Sequence, residues 1–380
     1  MNKYWDKEEI FLDGDQFFDR LLDDIDQAKE LITVEVYIFN DDSLGNKLAA
    51  HLIKAHQKGV IVQIIVDGIG SYNFFNTLYS LFFAAGIQVK MFHPLPLYHP
   101  FYGKLSFKRK IHAFFSRLWR LNQRNHRKII TLDSNIMYAG SFNFSIEHTK
   151  DHIQKKWKDM GVRVEGTNVK IALLYFKKIW KFRDYLRYRK IIKPLLTDKL
   201  KLSPLRLNHT LFMKRFYYRD FLQKINHAQN RIWLMTPYFI PKRRFIVLLG
   251  KAAERGVDVR IVISSKTDIK LFQALQFFYY PYLINKGVKI FKYVETVLHA
   301  KTFIIDDWMT IGSSNLNHRS ILHDLEVDIS IQNQKNKEKI VDDFIQTTPA
   351  QIEIKMEHLK QRTVFDKLLA RLYFVFKYWF

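Results

Sequence analysis

Cysteine is absent from the 380 residues. That excludes disulfide scaffolds, thiolate zinc sites and thiol catalysis, and permits a reducing compartment. Long hydrophobic runs are missing too. No stretch approaches the roughly 18 apolar residues that a spanning helix needs, and Leu78–Ile87, among the longest, is broken by Ser80 and Gly86. The polar start, Met1–Glu9, lacks the apolar centre of a signal peptide. The chain is therefore expected to lie on a membrane, if it meets one, rather than to cross it. Acid is scarce relative to base: 61 Lys and Arg face 37 Asp and Glu, a formal charge of +24. Such an excess attracts a polyanion, either nucleic acid or an anionic lipid surface, and charge alone does not choose between them. What is present is ordinary for a globular chain, 48% apolar and 26% charged, and the length suggests two domains or one two-lobed domain.

The chain repeats itself with an offset of about 200 residues. A helical pattern from Phe17 leads to the strand-like Leu31–Phe39, and one from Tyr218 leads to Ile232–Ile240. Lys54-Ala55-His56-Gln57-Lys58-Gly59-Val60 is echoed by Lys251-Ala252-Ala253-Glu254-Arg255-Gly256-Val257. Ala85-Gly86-Ile87 and Lys286-Gly287-Val288 precede two further strands. Each unit is a helix closed by a glycine, suited to a left-handed cap, followed by an apolar strand covered by helices. The expectation is an α/β fold of two homologous lobes related by a pseudo-two-fold axis. Each lobe is a mixed, mostly parallel sheet flanked by helices, with residues 1–200 in the first and 201–380 in the second.

Each repeat ends on one constellation. His126-Arg127-Lys128 and Asp133 precede Gly140-Ser141-Phe142-Asn143; His299-Ala300-Lys301 and Asp306 precede Gly312-Ser313-Ser314-Asn315. On a strand, a His and a Lys two apart share a face, and the Asp supplies turn chemistry. Each motif therefore reads as a hairpin whose returning strand brings Asn143 or Asn315 beside its own His and Lys. Two facing hairpins would surround one anion with two imidazoles and two cations. That suits phosphodiester cleavage: one neutral His attacks phosphorus and the other protonates the departing alkoxide. The lysines, Asn143, Asn315 and the hydroxyls of Ser141 and Ser313 would bind the phosphate oxygens. The scheme needs neither metal nor cofactor.

These paired motifs resemble those of the phospholipase D superfamily, and residues 8–380 resemble the bacterial cardiolipin synthases of the short form without membrane-spanning helices. Supporting segments include Asp67-Gly68-Ile69-Gly70-Ser71, Arg124-Asn125-His126-Arg127-Lys128, Thr236-Pro237-Tyr238-Phe239-Ile240-Pro241 and Leu298-His299-Ala300-Lys301. The resemblance implies a catalytic set of His126, Lys128, Asp133, His299, Lys301 and Asp306, with His126 as nucleophile and His299 as acid/base. It also implies that Asp159 and Glu326 orient the histidines. The implied reaction is a ping-pong phosphatidyl transfer to phosphatidylglycerol. A phospholipase D or head-group exchange enzyme shares every one of these residues, and nucleases use the same hairpins. The second motif is one residue shorter between Asp and Gly, which reads as a shorter hairpin turn.

From Gly86 to His126 is 40 residues, against 12 from Gly287 to His299. The extra segment, about 95–125, carries seven Lys and Arg and no acid, interleaved with aromatics. A helix read from Phe107 puts Ile111, Phe114, Phe115 and Leu118 on one face. That suits an anionic phospholipid surface beside the active-site mouth better than it suits nucleic acid. Tyr175–Lys193 is also basic and aromatic, and is read as half core. The end, Leu368–Phe380, is apolar nearly all round, and such a tail packs into a lobe or docks on lipid. Together these readings place the protein in the cytoplasm, peripheral at the inner face of the cell membrane. Deleting Leu368–Phe380 is expected to weaken co-sedimentation with anionic liposomes more than it alters the fold; unchanged co-sedimentation would refute docking.

Overall fold

The computed structural model describes residues 4–95, 121–181, 203–266 and 276–360. Most of the basic-aromatic segment, the boundary expected near residue 200, the end of the Tyr175–Lys193 stretch and the apolar tail lie outside the described residues.

Two sheets carry the architecture. The first comprises β1 (Lys7–Phe11), β2 (Leu31–Val36), β3 (Ile61–Asp67), β4 (Gln88–Phe92), β5 (Ile129–Leu132), β6 (Ile136–Gly140) and β7 (Gly161–Glu165), in the order β1-β7-β6-β5-β2-β3-β4. The second half contributes β8 (Leu205–Leu207), β9 (Arg231–Met235), β10 (Phe239–Ile240), β11 (Asp258–Ser264), β12 (Lys289–Tyr293), β13 (Thr302–Ile305), β14 (Trp308–Gly312), β15 (Leu316–Asn317), β16 (Val327–Ser330) and β17 (Ile352–Glu353). Its main sheet runs β17-β12-β11-β9-β13-β14-β16-β8, while β10 and β15 pair separately. Read from opposite ends, the two orders correspond strand for strand, apart from the added β17.

The duplicated helix–glycine–strand units form as the sequence implies. Gly59, Gly86, Gly256 and Gly287 all take positive φ, from 79° to 96°, where a Cβ would be strained. Within the two main sheets parallel pairing is limited to β2-β3-β4 and β9-β11-β12. The other neighbours in both main sheets are antiparallel, so each sheet is mixed but not mostly parallel. The cause is the motif hairpin: β5–β6 and β13–β14 fold back locally, and β5 and β13 enter antiparallel to β2 and β9.

Three large apolar clusters hold the molecule together. One lies under the first lobe's helices, with Phe17, Leu21, Leu48, Leu52 and Phe82 against Ile32, Val34 and Val36. A second repeats this with Leu222, Phe245, Leu249 and Leu283 against Ile232 and Leu234. The largest joins the halves, with Ile129, Met137, Val162 and Tyr175 meeting Met213, Trp233, Met235, Ile311 and Val327. Helix Val169–Lys181 supplies Val169, Ala172 and Tyr175 to this joint, and helix Gln334–Thr347 supplies Ile340 and Phe344. The inner face of β2 is not apolar: Thr33 bonds to Thr131 and Glu35 faces Asn125 and Arg127.

Asp133 and Asp306 take the turn positions read from the sequence, which keeps them from the catalytic role that the resemblance implies for them. They sit at the hairpin turns, beyond the far ends of β5 and β13, with φ of 49° and 50°. The Asp133 carboxylate accepts the backbone N–H groups of Lys29, Glu30 and Leu31 at 2.8–3.0 Å. Asp306 does the same for Gln229, Asn230 and Arg231. Each aspartate thus pins the loop that launches the central strand of its lobe. Asp133→Ala and Asp306→Ala are each expected to lower stability by about 1–3 kcal/mol in urea unfolding, with Asn the milder replacement because it tolerates positive φ. Unchanged midpoints would refute the pinning role.

Candidate active site

The motif histidines and lysines lie just before β5 and β13, on segments that cross between the lobes. The His126 N–H donates to the Leu325 carbonyl at 3.0 Å, and the His299 N–H to that of Lys158 at 2.9 Å. Asn125 and Leu325 form a parallel bridge, as do Lys158 and Leu298. Buried polar side chains brace the first of these segments. Asp67 accepts Arg124 Nη2 at 2.7 Å and the Asn125 N–H at 2.9 Å, Glu35 accepts Asn125 Nδ2 at 2.9 Å, and Arg127 reaches both Glu35 and His209. Lys128 and Lys301 each turn back to donate to the carbonyl of their own motif histidine, at 2.7 and 2.6 Å.

The orienting carboxylates are exchanged between the halves. His126 Nδ1 lies 3.0 Å from Glu326 Oε2, and His299 Nδ1 lies 2.7 Å from Asp159 Oδ2. Both carboxylates are buried, whereas each imidazole keeps about 12% of its side-chain surface open. With Nδ1 occupied, Nε2 is left for chemistry in both rings. The aromatic surroundings differ: Tyr37 packs edge-on to His126, while Trp157 and His148 flank His299.

Ser141 and Ser313 are not where a phosphate would meet them. The Ser141 hydroxyl donates to Asp159 and the Ser313 hydroxyl to Glu326, so each serine serves the carboxylate of its own half. Asn143 and Asn315 are buried, and their Oδ1 atoms have no partner in the structure. His148, Asp159 and His299 offer ligand-type atoms within 4.8 Å of one another. Both imidazole Nδ1 atoms of that set face Asp159 Oδ2, a pattern of proton sharing.

Comparison with known proteins gives this geometry its context. A family model described as "Cardiolipin synthase, PLD-like domain" matches residues 21–180 and 221–348. The chain belongs to the phospholipase D-like cardiolipin synthase family. It is 28% identical to a cardiolipin synthase of Clostridium perfringens, covering 95% of this chain and 74% of that protein. It is 30% identical to one of Listeria welshimeri, over 94% and 72%. Among solved structures, phosphatidylserine synthase of Haemophilus influenzae superposes with a TM-score of 0.62 at 13% identity, over 98% of this chain and 95% of that one, which shows a shared fold.

Within this family member, charge is distributed unevenly over the two matched halves. Burial, with the charges of Lys128 and Lys301, pushes the His126 imidazole well below its ordinary value. Burial and Lys301 also push His299 down, against the pull of Asp159. Burial on its own raises a carboxyl. It prevails at Glu326, which rises to about 7 despite Lys128, Ser313 and Ser320. At Asp159 it is outweighed by the charge of His299 and by hydrogen bonds from His148 and His299, so that carboxyl is held well below its usual range. Lys128 drops to about 7, through burial first and Lys301 second.

Several functional residues escaped the sequence reading. Glu35 and the buried Arg127 carry no motif of their own. Ser320 was legible only through register, standing five residues after Asn315 as His148 stands five after Asn143. His148 is buried behind His299 rather than lining the cleft.

Lys128 also sets a pH dependence. Its ammonium titrates near 7 when folded and near 10.4 in a model peptide. Across that window the unfolded chain binds more protons, so stability rises with pH from about 7 to about 10. Lys128→Met is expected to stabilise the protein most at or below about pH 7, with the advantage over wild type shrinking toward pH 10 in urea melts. A constant difference would exclude the buried charge as its cause.

Proposed function

We propose that the protein is a phosphatidyltransferase that makes cardiolipin from phosphatidylglycerol and a second phospholipid, through a covalent phosphohistidine. The exchanged His–carboxylate pairs carry this reading: both imidazoles have Nδ1 committed and Nε2 left for chemistry, and the Lys301 charge bears on both rings. His126 Nε2 attacks the phosphorus of the donor lipid, and the P–O bond to its head group breaks. The leaving alkoxide takes the proton from His299 Nε2. The acceptor hydroxyl of phosphatidylglycerol then gives its proton back to His299 and attacks phosphorus, and the P–N bond to His126 breaks.

Lys128 and Lys301 stabilise the phosphate oxygens, assisted by the amides of Asn143 and Asn315. An anionic phosphodiester between the two lysines offsets the burial and the Lys301 repulsion that depress Lys128, so substrate restores its charge. The names of the relatives support cardiolipin as the product. The +24 charge supports a peripheral position at the anionic inner face of the cell membrane, and among the described residues no helix is long and apolar enough to span a bilayer.

Incubation of purified protein with phosphatidylglycerol vesicles is expected to yield cardiolipin and glycerol. Phosphatidic acid alone would replace this reading by hydrolysis, and inert lipid beside degraded DNA by nuclease action. His126→Ala and His299→Ala are each expected to abolish turnover, and wild-type activity in either would end the two-histidine scheme.

A further inference from the structure

The duplication supplies an internal control for each catalytic pair. In the second half Ser320 bridges the strand end to the carboxylate: its Oγ accepts the Asn315 backbone N–H at 3.2 Å and donates to Glu326 Oε1 at 2.6 Å. In the first half His148 takes that place. Its Nε2 accepts the Asn143 backbone N–H at 3.2 Å. Its Nδ1 lies 3.0 Å from Asp159 Oδ2, off the ideal hydrogen-bond line, with no other partner in the structure. A backbone N–H only donates, so Nε2 presents its lone pair and the ring hydrogen sits on Nδ1, facing Asp159.

Asp159 Oδ2 therefore faces two imidazole N–H groups, from His148 and His299, while Oδ1 takes the Ser141 hydroxyl and the Met160 N–H. Glu326 has one imidazole and two hydroxyls. The surroundings diverge in the same sense. Around Asp159 the His148 ring contacts those of Phe142, Trp157 and His299, and Trp157 also contacts His299. Behind Glu326 a small cavity of about 70 Å³ opens, lined in part by Ser314, the counterpart of Phe142, with Trp308 and Asp328.

We propose that His148 is a positioning residue that holds Asp159 as the ionised carboxylate and so makes His299, rather than His126, the imidazole that carries the proton. This rests on the transfer reaction proposed above and gives a physical basis to its division of roles. The proton carrier enters the first half-reaction as an imidazolium and becomes one again in the second, and that cation needs a fixed anion at Nδ1. A second N–H on the same oxygen stabilises the anion and fixes its direction. Of the other charges that bear on the pair, Lys301 opposes the His299 cation and Lys128 attracts the Asp159 carboxylate, so the imidazolium depends on Asp159 staying ionised and aimed at its Nδ1.

The test compares wild type with His148→Ser, which imports the second half's residue, and with His148→Gln, whose amide offers one acceptor and one donor. With phosphatidylglycerol vesicles, His148→Ser is expected to lose about 10–100-fold in kcat with KM within about twofold. The alkaline limb of its kcat profile, set by the His299 imidazolium, should move down by about one pH unit as the anion at its Nδ1 is less well held. His148→Gln should recover most of both. Alkaline quenching with radiolabelled donor lipid should place the phosphatidyl label on the His126 peptide. Label on the His299 peptide, or a wild-type pH profile in His148→Ser, would overturn the proposal while leaving transfer intact. If His148→Ser fails to fold, a stably folded His148→Gln with a down-shifted alkaline limb would overturn it equally. Absence of any covalent label in an active wild type would instead remove the phosphohistidine reading on which it rests.

Discussion

His126 and His299 are each held by a carboxylate from the other half of the chain, and the surrounding structure exists to keep that exchange in register. The backbone bridges Asn125–Leu325 and Lys158–Leu298 set the two crossing segments side by side. The joint cluster of Met137, Val162, Met235, Ile311 and Val327 fixes the lobes against each other. A contact in which residue i of one half meets j of the other, and j meets i, is the signature of a two-fold interface. Here the interface lies within one chain, so it is held at an effective concentration that no dilution reduces.

The same arrangement is electrostatically expensive. Two lysines, two imidazoles and two carboxylates share a buried region, and burial dominates the shifts at His126, Lys128 and Glu326 alike. Such a site is destabilising in the resting protein and is offset elsewhere, here by three large apolar clusters. Lys128 illustrates the balance. Its hydrogen bond to the His126 carbonyl does not compensate for lost hydration, and a phosphate anion would.

Much of this was legible in the sequence because duplication makes chance implausible. Paired His-x-Lys and Gly-Ser-x-Asn segments, with glycine-capped helices ahead of each, pointed to the α/β class and to the two histidines that meet Glu326 and Asp159. Ser141 and Ser313, and the catalytic role implied for Asp133 and Asp306, show where the reading failed, although turn chemistry placed the two aspartates correctly. Pattern says that residues travel together, not whether they face substrate, a loop or a neighbouring carboxylate. The extent of parallel pairing was misjudged for a related reason: βαβ periodicity is conspicuous in sequence, whereas a four-residue hairpin strand such as β5 is not. The exchange of Asp159 and Glu326 between halves depends on contacts more than 130 residues apart, beyond the reach of local spacing.

The exchanged carboxylates also constrain how the two halves can diverge. A lobe cut from its twin would keep its own imidazole and lose the anion that orients it, so neither half carries a complete catalytic pair. Change at Asp159 is felt at His299, and change at Glu326 at His126. The ancestral duplication thus produced interdependent copies, in which neither is a spare free to drift toward a new task.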